Sequence, residues 1–199
     1  MSWKRGAYPE FTLEDVVAVL FMLREPVGRK TISEVLELGE GSVRTLLKKL
    51  SHRGAIKSTQ KGHSLSAGGE KLLDGIERNF SGTAQVGTVE GLPAFALRVK
   101  EPGDFKSIEL RDEAIRFHAK GAMILVVENG RIVFPEDGRP LSETMQELTE
   151  RLDRLMPEEG DMVVVTWAES PAKAMKSAYH VALFVKGDET PEEIKSLVR

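Results

Sequence analysis

Residues 31–53 constrain the fold of this chain more than any other stretch. Their sequence, TISEVLELGEGSVRTLLKKLSHR, predicts two short amphipathic helices joined by a turn at residues 39–41, bounded by two glycines. Apolar residues of the second helix recur at i, i+3, i+4 and i+7 and so share one side: Val43, Leu46, Leu47 and Leu50. The opposite side is basic and polar, so one face can pack on a core while the other meets a polyanion.

The segments before and after residues 31–53 also predict helices and a hairpin. Thr12 with Asp15 has capping-box spacing and predicts the start of an apolar first helix, and Thr31 with Glu34 repeats the spacing at the second. Ser42 is the predicted N-cap of the third helix. Residues 55–65 read as a β-hairpin with a lysine-glycine tip, and residues 67–80 as a fourth helix.

The order helix, helix, turn, helix, hairpin, helix resembles a winged helix-turn-helix domain of the MarR-like or DtxR-like kind found in bacterial and archaeal regulators. The sequence TISEVLELGEGSVRTLLKKLSHRGAIKSTQKGHSLSAGGEKLL carries the resemblance, which covers about the first 80 residues. It implies that the third helix enters the DNA major groove and that the hairpin, or wing, contacts the backbone. By position, the implied groove-facing residues are Ser42, Arg44, Thr45, Lys48 and Lys49, and the implied backbone contacts are Arg53, Lys57, Lys61 and His63. Within the first set, arginine and threonine near the helix start suit base edges, whereas the lysines suit phosphates.

Charge is concentrated in the same region. Residues 40–65 contain six Lys and Arg residues and a single acidic residue, although the whole chain carries a net charge of −3. A basic surface of this kind favours binding to double-stranded DNA. The alternative is that the basic face only confers solubility and that the winged helix is a protein–protein interaction module.

The second half has the alternation of an α/β domain. Residues 81–84 are small and predict a domain boundary, after which the pattern is β-β-α-β-β-α-β-α. Residues 122–128 and 162–167 are apolar on both faces and predict buried strands. We therefore expect an α+β protein: a winged helix-turn-helix domain over residues 1–80, and a two-layer α/β domain with a mixed sheet over residues 85–199.

The stretch LRDEAIRFHAKGAMILVVENGRIVFP resembles the C-terminal domain of a group of archaeal proteins that have an N-terminal winged helix. The resemblance implies an effector-binding or oligomerisation domain and assigns no residue roles. The abundance of Glu, Lys and Arg is also typical of thermophiles.

Several classes of site are not expected. The chain has no cysteine, which excludes disulfides and thiolate chemistry, and no phosphate-binding glycine motif. Asp112, Glu113 and His118 do not share one helical face, and His180 lies in an apolar helix, so neither a catalytic nor a metal site is predicted and no cofactor is expected. Without an apolar leader or a long apolar run, we expect a cytoplasmic protein that does not associate with membranes. Trp3 and Tyr8 lie in a polar lead that reads as either a tail or an arm.

The leading hypothesis is therefore a transcriptional regulator. The N-terminal half would bind duplex DNA as a homodimer that reads two half-sites, and the acidic C-terminal half would bind a small-molecule effector or a second subunit. A second hypothesis is an enzyme whose winged helix is accessory, which requires titratable residues that converge in a C-terminal pocket. A third is an interaction module in a larger assembly.

Overall fold

The computed structural model describes residues 10–198, so Trp3 and Tyr8 lie outside the described residues. The protein has an α+β fold and divides into two compact units. Unit 1 comprises the residues up to Leu72 together with those from Glu192 onward, and unit 2 comprises residues 73–191. This division falls within the fourth helix and not at residues 81–84, where the sequence suggested it. The reason is that residues 79–81 already belong to unit 2: Phe80 forms a β-bridge with Val99, and the Ser81 N–H donates to the Arg98 carbonyl.

The N-terminal part of unit 1, up to Leu72, contains three helices and a two-stranded hairpin, followed by the start of a fourth helix. The elements are α1 (Leu13–Met22), α2 (Arg29–Leu36), α3 (Glu40–His52), β1 (Ile56–Thr59), β2 (Gly62–Leu65) and α4 (Ala67–Glu77). The capping box of α1 is confirmed, with the Thr12 N–H donating to Asp15 Oδ2 at 2.8 Å. Helix α2 begins at Arg29, two residues before the predicted start. Helix α3 begins at Glu40 after Gly39, so Ser42 lies inside the helix and is not its N-cap.

The core of unit 1 forms where the apolar periodicity predicted it. The apolar stripe of α3 is buried, with Val43, Leu46 and Leu50 fully inaccessible. Helix α1 is buried along most of its length, as expected for a helix with few polar residues. The C-terminal segment also packs in this unit. Ile194, in the short helix α8 (Glu192–Lys195), and Leu197 are both buried.

The β1–β2 hairpin, which we call the wing, is attached to the connector between α1 and α2. Strands β1 and β2 pair antiparallel, with Ile56 opposite Leu65. His63 of β2 forms an antiparallel β-bridge with Val27 through two backbone hydrogen bonds of 2.9 Å. The connector therefore pairs with β2 on the side opposite β1. The Leu65 N–H also donates to the Leu23 carbonyl at 3.0 Å. These bonds fix the wing relative to α1 and thereby position its outer strand beside α3.

Unit 2 is built on a five-stranded sheet. Its elements are β3 (Ala84–Val89), β4 (Leu92–Val99), α5 (Ser107–Arg116), β5 (Gly121–Glu128), β6 (Arg131–Val133), α6 (Gln146–Leu152), β7 (Met162–Trp167) and α7 (Pro171–Lys186). The predicted order of strands and helices is confirmed, and β7 is buried at every residue. The second helical segment of this order is divided into α6 and two flanking 3₁₀ turns, at residues 141–143 and 153–155.

The prediction of a mixed sheet is wrong, because every neighbouring pair of strands is antiparallel. The spatial order is β3-β4-β7-β5-β6. Strands β4 and β5, which α5 connects, do run parallel, but β7 lies between them and pairs antiparallel with both. A strand–helix–strand pattern in sequence suggests parallel neighbours, and it does not indicate that a later strand is inserted between them.

Helices cover both faces of this sheet. Helices α5 and α7 pack on one face, where the buried Thr166 hydroxyl donates to the Ala174 carbonyl at 2.7 Å. Leu148 and Leu152 of α6 join the core on the other face, together with Val165 and Trp167. Because side chains alternate along a strand, residues 165–167 contribute to both cores in turn.

Candidate nucleic-acid interface

A basic groove lies between α3 and the wing, entirely within unit 1. Its volume is about 430 Å³, and residues of α3 line one side while residues of the hairpin line the other. We define the basic groove by its polar lining residues: Arg29, Arg44, Lys48, Ser51, His52, Ser58 and His63. Leu47 and Ile56 form its floor, and both are almost fully buried.

The periodicity of α3 explains why these side chains project into the groove. Arg44 and Lys48 are one helical turn apart and both are exposed, whereas the stripe containing Leu47 faces the core. Ser51 and His52 continue the same surface through the last turn of the helix. The groove therefore presents a row of hydrogen-bond donors above an apolar floor.

Most of the predicted DNA-binding residues lie at the surface. Arg44, Lys48, Arg53, Lys57 and Lys61 are exposed, and within residues 10–198 none of them forms an ion pair with an acidic side chain. Ser42 and Thr45 are only half-exposed. The Thr45 hydroxyl donates to the Gly41 carbonyl at 3.0 Å.

Lys49 does not belong to the groove-facing set. Its Nζ donates to the Leu197 carbonyl at 2.6 Å and lies 5.6 Å from the centre of the Phe11 ring. The ammonium group thus links α3 to both ends of the described chain in unit 1. The sequence could not indicate this role, because the C-terminal residues that accept the hydrogen bond are 148 positions away.

His63 lies at the inner edge of the groove and is half-buried. Its Nδ1 is 3.3 Å from the Ser58 hydroxyl on the paired strand. Burial, and secondarily the nearby positive charge of Arg29, lowers the pKa of His63 below its ordinary value. The imidazole is therefore disposed to be neutral in the free protein and would gain a favourable charge interaction only if an anion entered the groove.

Four groove residues were not among those predicted from the sequence. Arg29 begins α2, Ser51 and His52 lie at the end of α3, and Ser58 lies in β1. The net basic charge of residues 40–65 could have suggested His52. Arg29 reaches the groove only because the Val27–His63 bridge brings the start of α2 beside the wing.

In unit 2 the titratable residues noted in the sequence separate into different environments. His180 Nε2 lies 3.4 Å from Glu113 Oε2, and the imidazole stacks on Phe117 with ring centres 4.3 Å apart. Hydrogen bonding to His180, and then to Arg116, lowers the pKa of Glu113. Asp112 and His118 are exposed. Among the described residues, no cluster of three or more metal-ligating side chains is present.

A second cavity, of about 390 Å³, lies in unit 2 between β3 and α6. Arg151 is the cationic residue in its lining, and its guanidinium donates to the Val86 carbonyl at 2.9 Å and pairs with Glu147. Because this charge is already engaged, the cavity has no evident preference for an anionic ligand.

No helix in residues 10–198 is long and apolar enough to cross a bilayer.

Comparison with known proteins assigns both units to families. Residues 12–71 match the family described as PH0730-like, N-terminal domain, and residues 91–185 match the Domain of unknown function (DUF4443). A comparison with curated proteins finds no match. Among solved structures, "Hypothetical protein PH0730 from Pyrococcus horikoshii OT3" is similar, with 55% sequence identity and a TM-score of 0.89 over 94% of this chain and 100% of that chain. At this identity and coverage, the chain belongs to the PH0730 family, with a PH0730-like N-terminal domain followed by DUF4443.

Proposed function

We propose that the protein is a DNA-binding transcriptional regulator whose winged helix reads duplex DNA through α3. The observation that carries this proposal is the basic groove beside α3, which combines exposed cations with further hydrogen-bond donors. An α-helix with outward arginine and lysine side chains has the dimensions and chemistry that the major groove accepts. Unit 2 would then bind an effector or a second subunit.

The positions of the cations suggest different roles. Arg44 lies in the first half of α3, where a recognition helix approaches base edges, and its guanidinium can donate two hydrogen bonds to guanine. Lys48 lies one turn later, and Lys57 and Lys61 lie on the wing. Lysines at these positions suit the phosphate backbone, which gives affinity without sequence preference.

Removing the Arg44 and Lys48 side chains tests this division. We expect Arg44→Ala to relax base preference by about 1–3 kcal/mol, and Lys48→Ala to weaken binding to all sequences alike. Binding of the full chain to genomic fragments, measured by gel shift and fluorescence anisotropy across a salt series, provides the readout. Each phosphate contact that is lost should reduce the slope of log K against log salt by about 0.9.

The control for charge alone is Lys106→Ala, which removes one cation from an exposed position in unit 2. It should leave the DNA affinity and the salt slope unchanged. Wild-type affinity that does not fall as salt rises would contradict phosphate-driven binding. If Lys106→Ala lowers the DNA affinity as much as Lys48→Ala does, net charge and not the basic groove determines that affinity.

His63 provides a separate pH test. Its pKa is lowered in the free protein, and an adjacent phosphate would raise the pKa in the complex. DNA binding would then take up a proton, so affinity should increase as pH falls through the range between the two pKa values, by at most about tenfold per pH unit. A His63→Gln variant should lose this pH dependence while retaining binding. An unchanged pH profile in this variant would remove His63 from the interface.

The two other hypotheses have less support. An enzyme with an accessory winged helix would be favoured by Asp112, Glu113 and either His118 or His180 in one cleft; Glu113 pairs with His180, whereas Asp112 and His118 are exposed. A protein–protein module would leave the basic groove without DNA affinity. The gel shift therefore distinguishes that hypothesis from the regulator.

A further inference from the structure

Helix α5 of unit 2 exposes two isoleucines that the fold does not require. Ile108 is 58% exposed and Ile115 is 52% exposed, although Leu110 and Ala114 of the same helix are buried. The inward side of α5 is therefore already satisfied by packing on β5 and α7. Large apolar side chains that face water raise the free energy of the isolated molecule. Several of them exposed on one surface mark that surface as a site of interaction.

The exposed residues form one stripe along the helix. Ile108, Arg111, Asp112 and Ile115 recur at i, i+3, i+4 and i+7 and are all exposed; we call them the α5 stripe. Arg111 and Asp112 form no ion pair within residues 10–198, whereas the flanking Lys106–Glu109 and Glu113–Arg116 pairs do. The stripe thus has an apolar residue at each end and one uncompensated charge of each sign in the middle.

This pattern is complementary to itself. In an antiparallel pairing of two α5 helices about a two-fold axis midway between Arg111 and Asp112, Ile108 of one copy lies opposite Ile115 of the other. The same axis places each Arg111 opposite an Asp112. Every contact then occurs twice, as in an isologous dimer interface. We propose that the α5 stripe is the surface through which unit 2 binds a second copy of this chain.

Helix α7 extends the surface. The Ser177 hydroxyl donates to the Phe117 carbonyl and His180 contacts Glu113, so α7 runs antiparallel to α5. Phe184 is one turn beyond His180, toward the end of α5 that carries Ile108, and it is 55% exposed. One ten-residue helix buries too little area for a stable interface, and an exposed aromatic beside it adds the kind of anchor that dimer interfaces use.

The proposal identifies the dimer contact of the regulator proposed above, but it rests on the geometry of unit 2 and not on DNA binding. Its test is therefore carried out without DNA. Sedimentation equilibrium of the full chain should give a dimer, and Ile108→Ser/Ile115→Ser should raise the dimer Kd at least about tenfold. Val35→Ser, at a 42% exposed apolar position in unit 1, is the matched control and should leave the Kd unchanged.

A charge exchange makes the test specific to this pairing. Asp112→Arg should weaken the dimer, because each introduced arginine would face Arg111 of the second copy. Adding Arg111→Asp should restore the dimer, since the opposite charges then meet again with their positions exchanged. This rescue is expected only if the two helices pair with each other.

Three results would overturn the proposal: a wild-type monomer at about 100 μM, a dimer that is insensitive to the isoleucine variants, or a charge exchange that fails to rescue. If the dimer forms as described and the gel shift is negative, the DNA-binding proposal fails and this one stands. If DNA binds and the chain is monomeric, the reverse holds.

Discussion

Replacing Asp161 with alanine is expected to destabilise unit 2 by about 3–5 kcal/mol. The Asp161 carboxylate is buried, and its Oδ2 lies 2.6 Å from Nε of Arg98, whose side chain is only 11% exposed. The same oxygen accepts the Glu158 backbone N–H at 2.8 Å. Alanine would leave a largely buried guanidinium without its buried counter-charge, with only the exposed Glu158 as an acidic partner, and a turn N–H without its acceptor. Both losses raise the free energy of the folded state.

Glu158 provides the matched control because it pairs with the same guanidinium. Its side chain is 77% exposed and its Oε1 lies 3.1 Å from Arg98. An exposed ion pair contributes little, so Glu158→Ala should lower stability by less than about 1 kcal/mol.

Urea unfolding, followed by tryptophan fluorescence, measures both variants. The chain contains two tryptophans, so a Trp3→Phe background makes Trp167 in β7 the reporter for unit 2. Equal losses for Asp161→Ala and Glu158→Ala would show that burial does not determine the strength of this ion pair.

Gly62→Ala is expected to destabilise unit 1 by about 3 kcal/mol or more and to displace the wing. Gly62 has φ +127°, a conformation that residues with a Cβ rarely adopt. An added Cβ would also overlap the Val27 carbonyl and lie 2.8 Å from the Gly28 N. These neighbours are backbone atoms next to the Val27–His63 bridge and cannot rotate away, so the bridge must open.

Gly41→Ala is the control, since nothing lies within 4 Å of a Cβ at this position in α3. It should raise stability by about 0.5–1 kcal/mol, because alanine favours the helix. Thermal unfolding by circular dichroism gives the stability of both variants, and hydrogen exchange at the Val27 and His63 amides reports on the bridge. If these amides are as protected in Gly62→Ala as in the wild type, the wing accepts a side chain at the start of β2.

The helices of unit 1 could be predicted because their information is local. The stripe containing Val43, Leu46 and Leu50 follows from a period of 3.6 residues, and the capping box at Thr12 depends on residues three positions apart. Helix starts were less accurate: α3 begins at Glu40, where a glycine precedes it, although Ser42 has the more favourable capping side chain. Both glycine and serine are acceptable N-caps, so the residue type alone does not determine which of the two precedes the helix.

The candidate site was predicted in part for the same reason. Arg44 and Lys48 project outward because the helix period places them opposite the buried stripe. Lys49 differs by one position and is directed to the Leu197 carbonyl, and Arg29 joins the groove from another helix. Neither contact can be predicted from residues 31–53 alone, because each depends on a residue that is distant in sequence.

The amino-acid sequence by itself determined the secondary structure order, the buried faces of the helices and strands, and the basic character of the outer face of α3. All three depend on interactions within about seven residues. The tertiary structure alone decided that β7 is inserted between β4 and β5, that Lys49 faces inward, and that the α5 stripe remains exposed. These outcomes depend on which elements meet in space, and chain entropy lets many arrangements of the same elements compete until the complete core selects one.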